Sequence, residues 1–247
     1  MKKCLFIVLL VICFVSCKNE SKNKNNAVPN SVNESIGNEI SSKWIVLFDG
    51  TSLDSWKGYL SDDVYEEWTI DDGVLVFTPS NEGGKNIITK NKYTNFVLSV
   101  EWKISEGGNS GIFWGVYEDE KYKEAYETGA EIQVLDNDKH PDSFVAEDTH
   151  KAGSLYDLIG YSSEFINPAG EWNVCVLEIN HNTNQGKVSM NGHDSITFPV
   201  HGADWDAMVA KSKFKDWEGF AKYQTGHIGL QDHGDKVSYR NIKIKEL

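Results

Sequence analysis

Nine residues, Phe96 to Ile104, constrain the fold of this chain more than any other stretch. Phe96, Leu98, Val100, Trp102 and Ile104 fall on one side of an extended backbone, and Ser99, Glu101 and Lys103 on the other. Side chains of a strand alternate with period two, so this pattern predicts a strand with one buried and one wet face. A buried strand face needs a second layer against it. Trp44 to Phe48, Ile87 to Thr89, Ile112 to Tyr117, Trp172 to Asn180, Gly186 to Met190, Ile196 to Phe198, His227 to His233 and Val237 to Leu247 read as further short strands. Trp68 to Ile70 and Val74 to Phe77 flank Asp71-Asp72-Gly73, a hairpin signal; Asp49-Gly50-Thr51 and Asn191-Gly192 are turns. Asp204 to Tyr223 mixes Trp, Phe, Lys and Asp at helical spacing and reads as short helices or a long loop. With no long amphipathic helix and no internal repeat, the expectation is an all-β sandwich of two antiparallel sheets, with short helices confined to loops.

The N-terminus is not part of that sandwich. Lys2 and Lys3 precede an apolar run, Leu5 to Val15, too short to span a bilayer as a mature helix. It ends in Phe14-Val15-Ser16-Cys17, which resembles a bacterial lipobox. Residues 1–17 are therefore expected to be a lipoprotein signal, with cleavage before Cys17 and a lipid on its thiol. A plain secretory signal with a chance Cys is the alternative. Residues 18–42 are rich in Asn, Ser and Lys and nearly lack large apolar side chains, so they cannot offset their ordering entropy and read as a flexible tether. Residues 43–247 remain as one domain. The expected location is a membrane surface, anchored through Cys17 and facing the periplasm or the cell exterior.

Cys175 is then the one cysteine left in the domain, within an apolar strand, and no disulfide is expected. Loss of Lys2 and Lys3 leaves 22 Lys and Arg against 37 Asp and Glu, a net charge of −15. Nucleic acid is excluded as a partner by that balance, since it requires a basic footprint; a neutral ligand or a cation is not.

Chemistry concentrates in Gly129 to Gly160. Ile132 and Val134 point to one face of a strand and Glu131, Gln133 and Leu135 to the other, which predicts a half-buried strand presenting polar groups. A loop dense in titratable groups follows: Asp136, Asp138, His140, Asp142, Glu147, Asp148, His150 and Lys151, ending in Ser154-Leu155-Tyr156-Asp157. The stretch Gly107-Gly108-Asn109-Ser110-Gly111 is not a phosphate loop, because no helix follows it; it reads as a glycine-rich turn that lets backbones approach closely.

Several stretches together resemble the 3-keto-disaccharide hydrolase family. They are Trp44-x-x-Leu47-Phe48-Asp49-Gly50, Gly107 to Phe113, Tyr126 to Asp136, His140-Pro141-Asp142, Ala152 to Asp157, Pro168-x-Gly-Glu-Trp-Asn173, Gly226 to Gly234, and Arg240 to Ile244. The resemblance covers residues 44–247, in order. It implies a concanavalin A-like jelly roll, often in an exported lipoprotein, and a carbohydrate substrate: a glycoside oxidised to a ketone at C3. One departure stands out. Relatives usually carry a basic residue, typically Arg, after Gly-Ile-Phe, and here the position is Trp114, which implies a different sugar or a ring that stacks on one.

A ketone at C3 acidifies the C2 proton. A base can remove it and the C1 oxygen can then leave by β-elimination, after which water adds back. Glu131, His140 and His150 are the candidate bases or acids. A divalent cation would stabilise the enolate, with Glu131, Asp136, His140, His150 and His233 as oxygen and imidazole donors, Asp136 and His233 foremost; no organic cofactor is expected. Trp114, Gln133, Lys151, Tyr156, Asp157 and Gln231 are the candidate substrate contacts. Each has a structural rival: His140 as a loop residue before Pro141, His150 and Lys151 as a solvated face, Tyr156 as a packing residue, Asp232 as a turn anchor. Two other functions stay open. A lectin-like module would need no cluster of titratable groups, and a two-carboxylate glycosidase would need a pair such as Glu127 and Glu131 on one strand face.

Overall fold

The computed structural model describes residues 43–247. The expected lipobox with Cys17 and the expected tether lie outside the described residues. Thirteen strands run in the order β1 (Ile45–Phe48), β2 (Trp56–Gly58), β3 (Trp68–Asp71), β4 (Val74–Phe77), β5 (Ile87–Thr89), β6 (Phe96–Ile104), β7 (Asn109–Val116), β8 (Ala130–Leu135), β9 (Asn173–Asn180), β10 (Gln185–Met190), β11 (His193–Phe198), β12 (His227–Leu230) and β13 (Val237–Glu246). One α-helix, α1 (Gly202–Val209), follows β11. Among the described residues no helix is long and apolar enough to cross a membrane.

The strands form two antiparallel sheets packed as a jelly-roll sandwich. The larger has the order β11-β10-β9-β6-β13-β4-β3, with β1 also on β13; the smaller has the order β2-β5-β12-β7-β8. β6 lies at the middle of the larger sheet and alternates as its sequence requires, with Phe96, Leu98, Val100, Trp102 and Ile104 all buried. On its wet face Glu101 accepts from Arg240 Nε at 2.6 Å and from Asn241 Nδ2 at 2.8 Å. The Asp72-Gly73 and Asn191-Gly192 turns both have positive φ at their two central residues, as two-residue hairpins demand.

Between the sheets, Ile112, Trp114, Ile132 and Val134 meet Leu98, Val100, Trp102, Leu177, Ile242 and Ile244. Ser110 on β7 ties the layers together. Its hydroxyl donates to the Gln231 carbonyl at 2.7 Å and accepts from Tyr239 Oη on β13 at 2.8 Å. Cys175 is buried in β9, and burial pushes its thiol up to about 12, so it is an inert core residue.

Two expectations are corrected. Gly107 and Gly108 turn the chain, but Asn109, Ser110 and Gly111 already belong to β7. β8 is buried along its whole length, on both faces. The polar face of β8 does not meet water, because loops fold back over the outer side of the smaller sheet. That covering creates the site.

Candidate functional site

Glu131 and Gln133 face away from the sandwich interior, beside Phe113 and Gly111 on the neighbouring β7. The chain after β8 returns along its open edge. Gln133 N donates to Ser154 O, Gly153 N to Gln133 O at 2.8 Å, and Tyr156 N to Glu131 O at 3.0 Å. This pairing sets Tyr156 next to Glu131. From the other side comes the segment after α1, held by Lys213 N donating to Asp157 Oδ2 at 2.7 Å. Phe214 stacks on Phe220 at 3.9 Å between ring centroids, which fixes the segment's apolar base.

A cavity of about 300 Å³ lies between these parts. Glu131, Gln133, Tyr156, Gln231 and His233 line it, as does Lys213. Trp217, Tyr126, Phe214 and Asn109 complete its wall. The carboxyl of Glu131 is only 8 % exposed, and burial pushes its pKa up to about 8, against the pull of the Lys213 ammonium and with a further push from Asp142. It therefore holds its proton at pH 7. Its position requires glycine on the next strand: a Cβ on Gly111 would stand 2.7 Å from Glu131 Cδ. Gly111→Ala is expected to swing the carboxyl out of place and lower activity by about 100-fold, since misplacement by 1 Å can cost that much. Kinetics of the variant beside an unchanged circular dichroism spectrum check this.

Asn109 Oδ1 and Gln231 Oε1 are buried and take no hydrogen bond among the described residues. Buried acceptors without donors are costly. On a cavity wall they suit hydroxyl groups of a ligand.

Behind the cavity runs a chain of hydrogen-bonded side chains. Tyr156 Oη donates to Asp142 Oδ2 at 2.9 Å. His150 Nδ1 lies 2.9 Å from Asp142 Oδ1, and its Nε2 lies 2.8 Å from Asp157 Oδ1. Burial and the Asp142 bond push the Tyr156 hydroxyl far above its usual range, so it is a donor and not a base. The Lys213 ammonium sits 4.0 Å above the Tyr156 ring.

His140, His233 and Asp235 each bring one ligand atom within 4.8 Å of the other two. His140 Nδ1 accepts from Asp142 N at 3.1 Å, which leaves its Nε2 uncommitted there. His233 is exposed at the rim, yet partial desolvation of its ring and the neighbouring His140 lower its pKa, which favours the neutral form a ligand needs. His233 Nε2 is 3.4 Å from Asn109 Nδ2, so this group adjoins the cavity.

The structure thus separates the sequence candidates. Glu131, Gln133, Tyr156, Gln231 and His233 line one cavity. His140 stands next to His233, ring centroids 6.1 Å apart. The others do not reach it as expected. Trp114 is 3 % exposed and packs inside the sandwich against Phe198 and Trp205, because its place in β7 points it inward; it offers no face to a sugar. His150 cannot exchange protons with a ligand while both ring nitrogens face carboxylates; it positions Asp142 and Asp157, and Asp157 acts with it behind the wall. Asp136 is not with His233. Its oxygens accept from the backbone N–H of Gly107 and Asp138, which makes it a turn anchor. Lys151 pairs with Asp148 at 2.8 Å and borders a different hollow. Glu127 is not on the Glu131 strand. It ends a 3-10 turn, where its Oε1 accepts from the backbone of Lys123 and Glu124, so it makes no glycosidase pair with Glu131. Asp232 is a turn anchor, accepting from Gly234 N and Lys85 N.

Sequence reasoning missed Lys213, Phe214, Trp217, Asn109 and Asp235. The spacing of Phe214, Trp217 and Phe220 marked an apolar base, and the alternation of β7 extended back to Asn109 through Gly111. No signal placed Asp235 with the two histidines.

Comparison with known proteins agrees with this architecture. The profile of a 3-keto-alpha-glucoside-1,2-lyase-like domain matches residues 43–245. A 3-keto-disaccharide hydrolase of Bacteroides thetaiotaomicron is 34% identical over 229 residues, 83% of this chain and 78% of that protein. A crystal structure from Parabacteroides distasonis, of a protein assigned as a glycosyl hydrolase, superposes with a TM-score of 0.75 at 32% identity, covering 83% of this chain and 94% of that one. A family GH16 endo-beta-1,3(4)-glucanase has a TM-score of 0.50 at 13% identity, covering 84% and 96%, and shares the fold alone.

Proposed function

Since this chain belongs to the 3-keto-alpha-glucoside-1,2-lyase-like family, we propose that it cleaves glycosides whose ring carries a ketone at C3. The observation that carries this reading is the buried carboxyl of Glu131, tuned to about 8 in a cavity walled by amides and aromatic rings. Acid–base groups act best with a pKa near the working pH. Ionised Glu131 takes the C2 proton, and the electron pair passes into the C3 carbonyl as an enolate. The enolate re-forms the ketone as the C1–oxygen bond breaks, leaving a C1–C2 double bond. The departing oxygen takes up the proton that Glu131 now holds. Water then adds at C1 while a proton returns to C2, which completes a hydrolysis. Asn109, Gln133 and Gln231 hold sugar hydroxyls, and the Lys213 ammonium favours negative charge in the cavity.

The donors of His140, His233 and Asp235 fit a divalent cation: two imidazoles, one carboxylate, and the unpartnered Asn109 oxygen nearby. Such a cation would supply electrostatic stabilisation of the enolate oxygen. EDTA treatment is expected to lower activity and added divalent cation to restore it. Full activity after chelation removes the cation from this account.

The test of the reading offers purified protein matched 3-keto and unoxidised disaccharides. Cleavage of the 3-keto sugar alone supports it. Cleavage of neither points to a lectin, and cleavage of the unoxidised sugar alone to a conventional glycosidase. We also propose export and lipid anchoring at Cys17; a Cys17→Ser chain is expected to leave the membrane fraction for the soluble one.

A further inference from the structure

The catalytic cavity, at about 300 Å³, sits at the lower end of small-molecule sites, which span about 300–1,000 Å³. That is room for the ring to be cleaved, with little left for what is attached to it. A second hollow, of about 460 Å³, opens on the far side of two residues that line both: Tyr126 and Trp217. Their rings stand 5.9 Å apart at 43°, a tilted pair between the two spaces. Tyr126 is 37% exposed.

The second hollow has its own built lining. Gly219 lets the Tyr122 ring lie against the chain, since a Cβ there would meet Tyr122 Cζ at 2.7 Å. Glu127 is held rigid by two backbone N–H groups on Oε1, and its Oε2 takes no hydrogen bond among the described residues. Asp216 lies exposed on the rim. Aromatic rings with carboxylate acceptors, one of them clamped, recognise a neutral, hydroxyl-bearing ring: the aromatic rings pack on its C–H side and the carboxylates accept from its hydroxyls. Lys121 on the same lining is paired with Glu218 at 2.7 Å, which leaves Glu127 and Asp216 to repel an anionic group.

We infer that this hollow is the subsite for the leaving group, and that it selects a neutral sugar over an anionic one. The inference rests on the reading of the neighbouring cavity as the cleavage site. Two 3-keto-glucosides with a common ring test it, one with a methyl and one with a glucosyl leaving group. For Asp216→Lys and for Glu127→Gln, which keeps the backbone clamp, the ratio of kcat/KM for the glucosyl over the methyl substrate is expected to fall about tenfold, the worth of one charge-assisted hydrogen bond. A third substrate with a glucuronyl leaving group is expected to be poor for the unsubstituted protein and improved by Asp216→Lys. Unchanged ratios, with all substrates cleaved, overturn the subsite and leave the cleavage reading standing. Unsubstituted protein that cleaves neither the methyl nor the glucosyl substrate overturns both.

Discussion

Glu131→Gln is expected to lower turnover of a 3-keto-glucoside by about 10²- to 10⁴-fold, the usual contribution of a general acid–base group, while the fold stays intact. The amide matches the carboxyl in shape and, like the protonated carboxyl, carries no charge. The same variant carries a thermodynamic signature. Burial raises the folded-state pKa of Glu131 from 4.5 to about 8. A raised pKa means that the folded chain holds the proton more tightly than the unfolded chain. The stability tied to that proton is whole below pH 4.5 and declines as pH climbs toward 8. Glutamine has no such decline, so the variant should gain stability relative to the unsubstituted protein across that window. In the pH–rate profile, the ascending limb near 8 should vanish with the carboxyl. Wild-type turnover in Glu131→Gln would remove Glu131 from the reaction.

The expected sandwich of two antiparallel sheets follows from properties local in sequence. Alternation along β6 and the Asp72-Gly73 and Asn191-Gly192 turns depend on neighbours one to four residues away, and the structure has all three. Glu131 and Gln133 were legible for the same reason: period two put them on one face. What covers that face was not legible. Lys213 lies 82 residues beyond Glu131 and is held near it by the backbone bond to Asp157, a contact 56 residues apart in the chain, and by the Tyr156 ring. The same limit explains Trp114. Its identity suggested a platform, but which face of β7 points into the sandwich is set by pairing with β8 and β12, and that pairing turns it inward. Asp136 and His150 were singled out for their chemistry. Hydrogen bonds that a residue list does not reveal commit both to holding the loop.

His150 is where fold and site meet. His150→Ala is expected to destabilise the domain by about 2–4 kcal/mol, because it leaves two partly buried carboxylates, each still in some contact with water, without their imidazole partner. The side chains of Asp142 and Asp157 are 24% and 16% exposed, against 9% for His150. Their carboxylates would face each other across the vacated ring, without the donors that now separate them. For a domain of this size the loss corresponds to a fall in Tm of about 5–15 °C. Activity should fall as well, through position and not through proton transfer. Asp142 orients the Tyr156 hydroxyl, and Asp157 holds the segment that carries Lys213. Adding Asp142→Asn and Asp157→Asn to His150→Ala removes the unpaired charges, so it should recover much of the lost stability and little of the activity. A proton-shuttling His150 would behave otherwise: the single variant would keep its Tm and lose its rate, and calorimetry beside kinetics on the same samples separates the two.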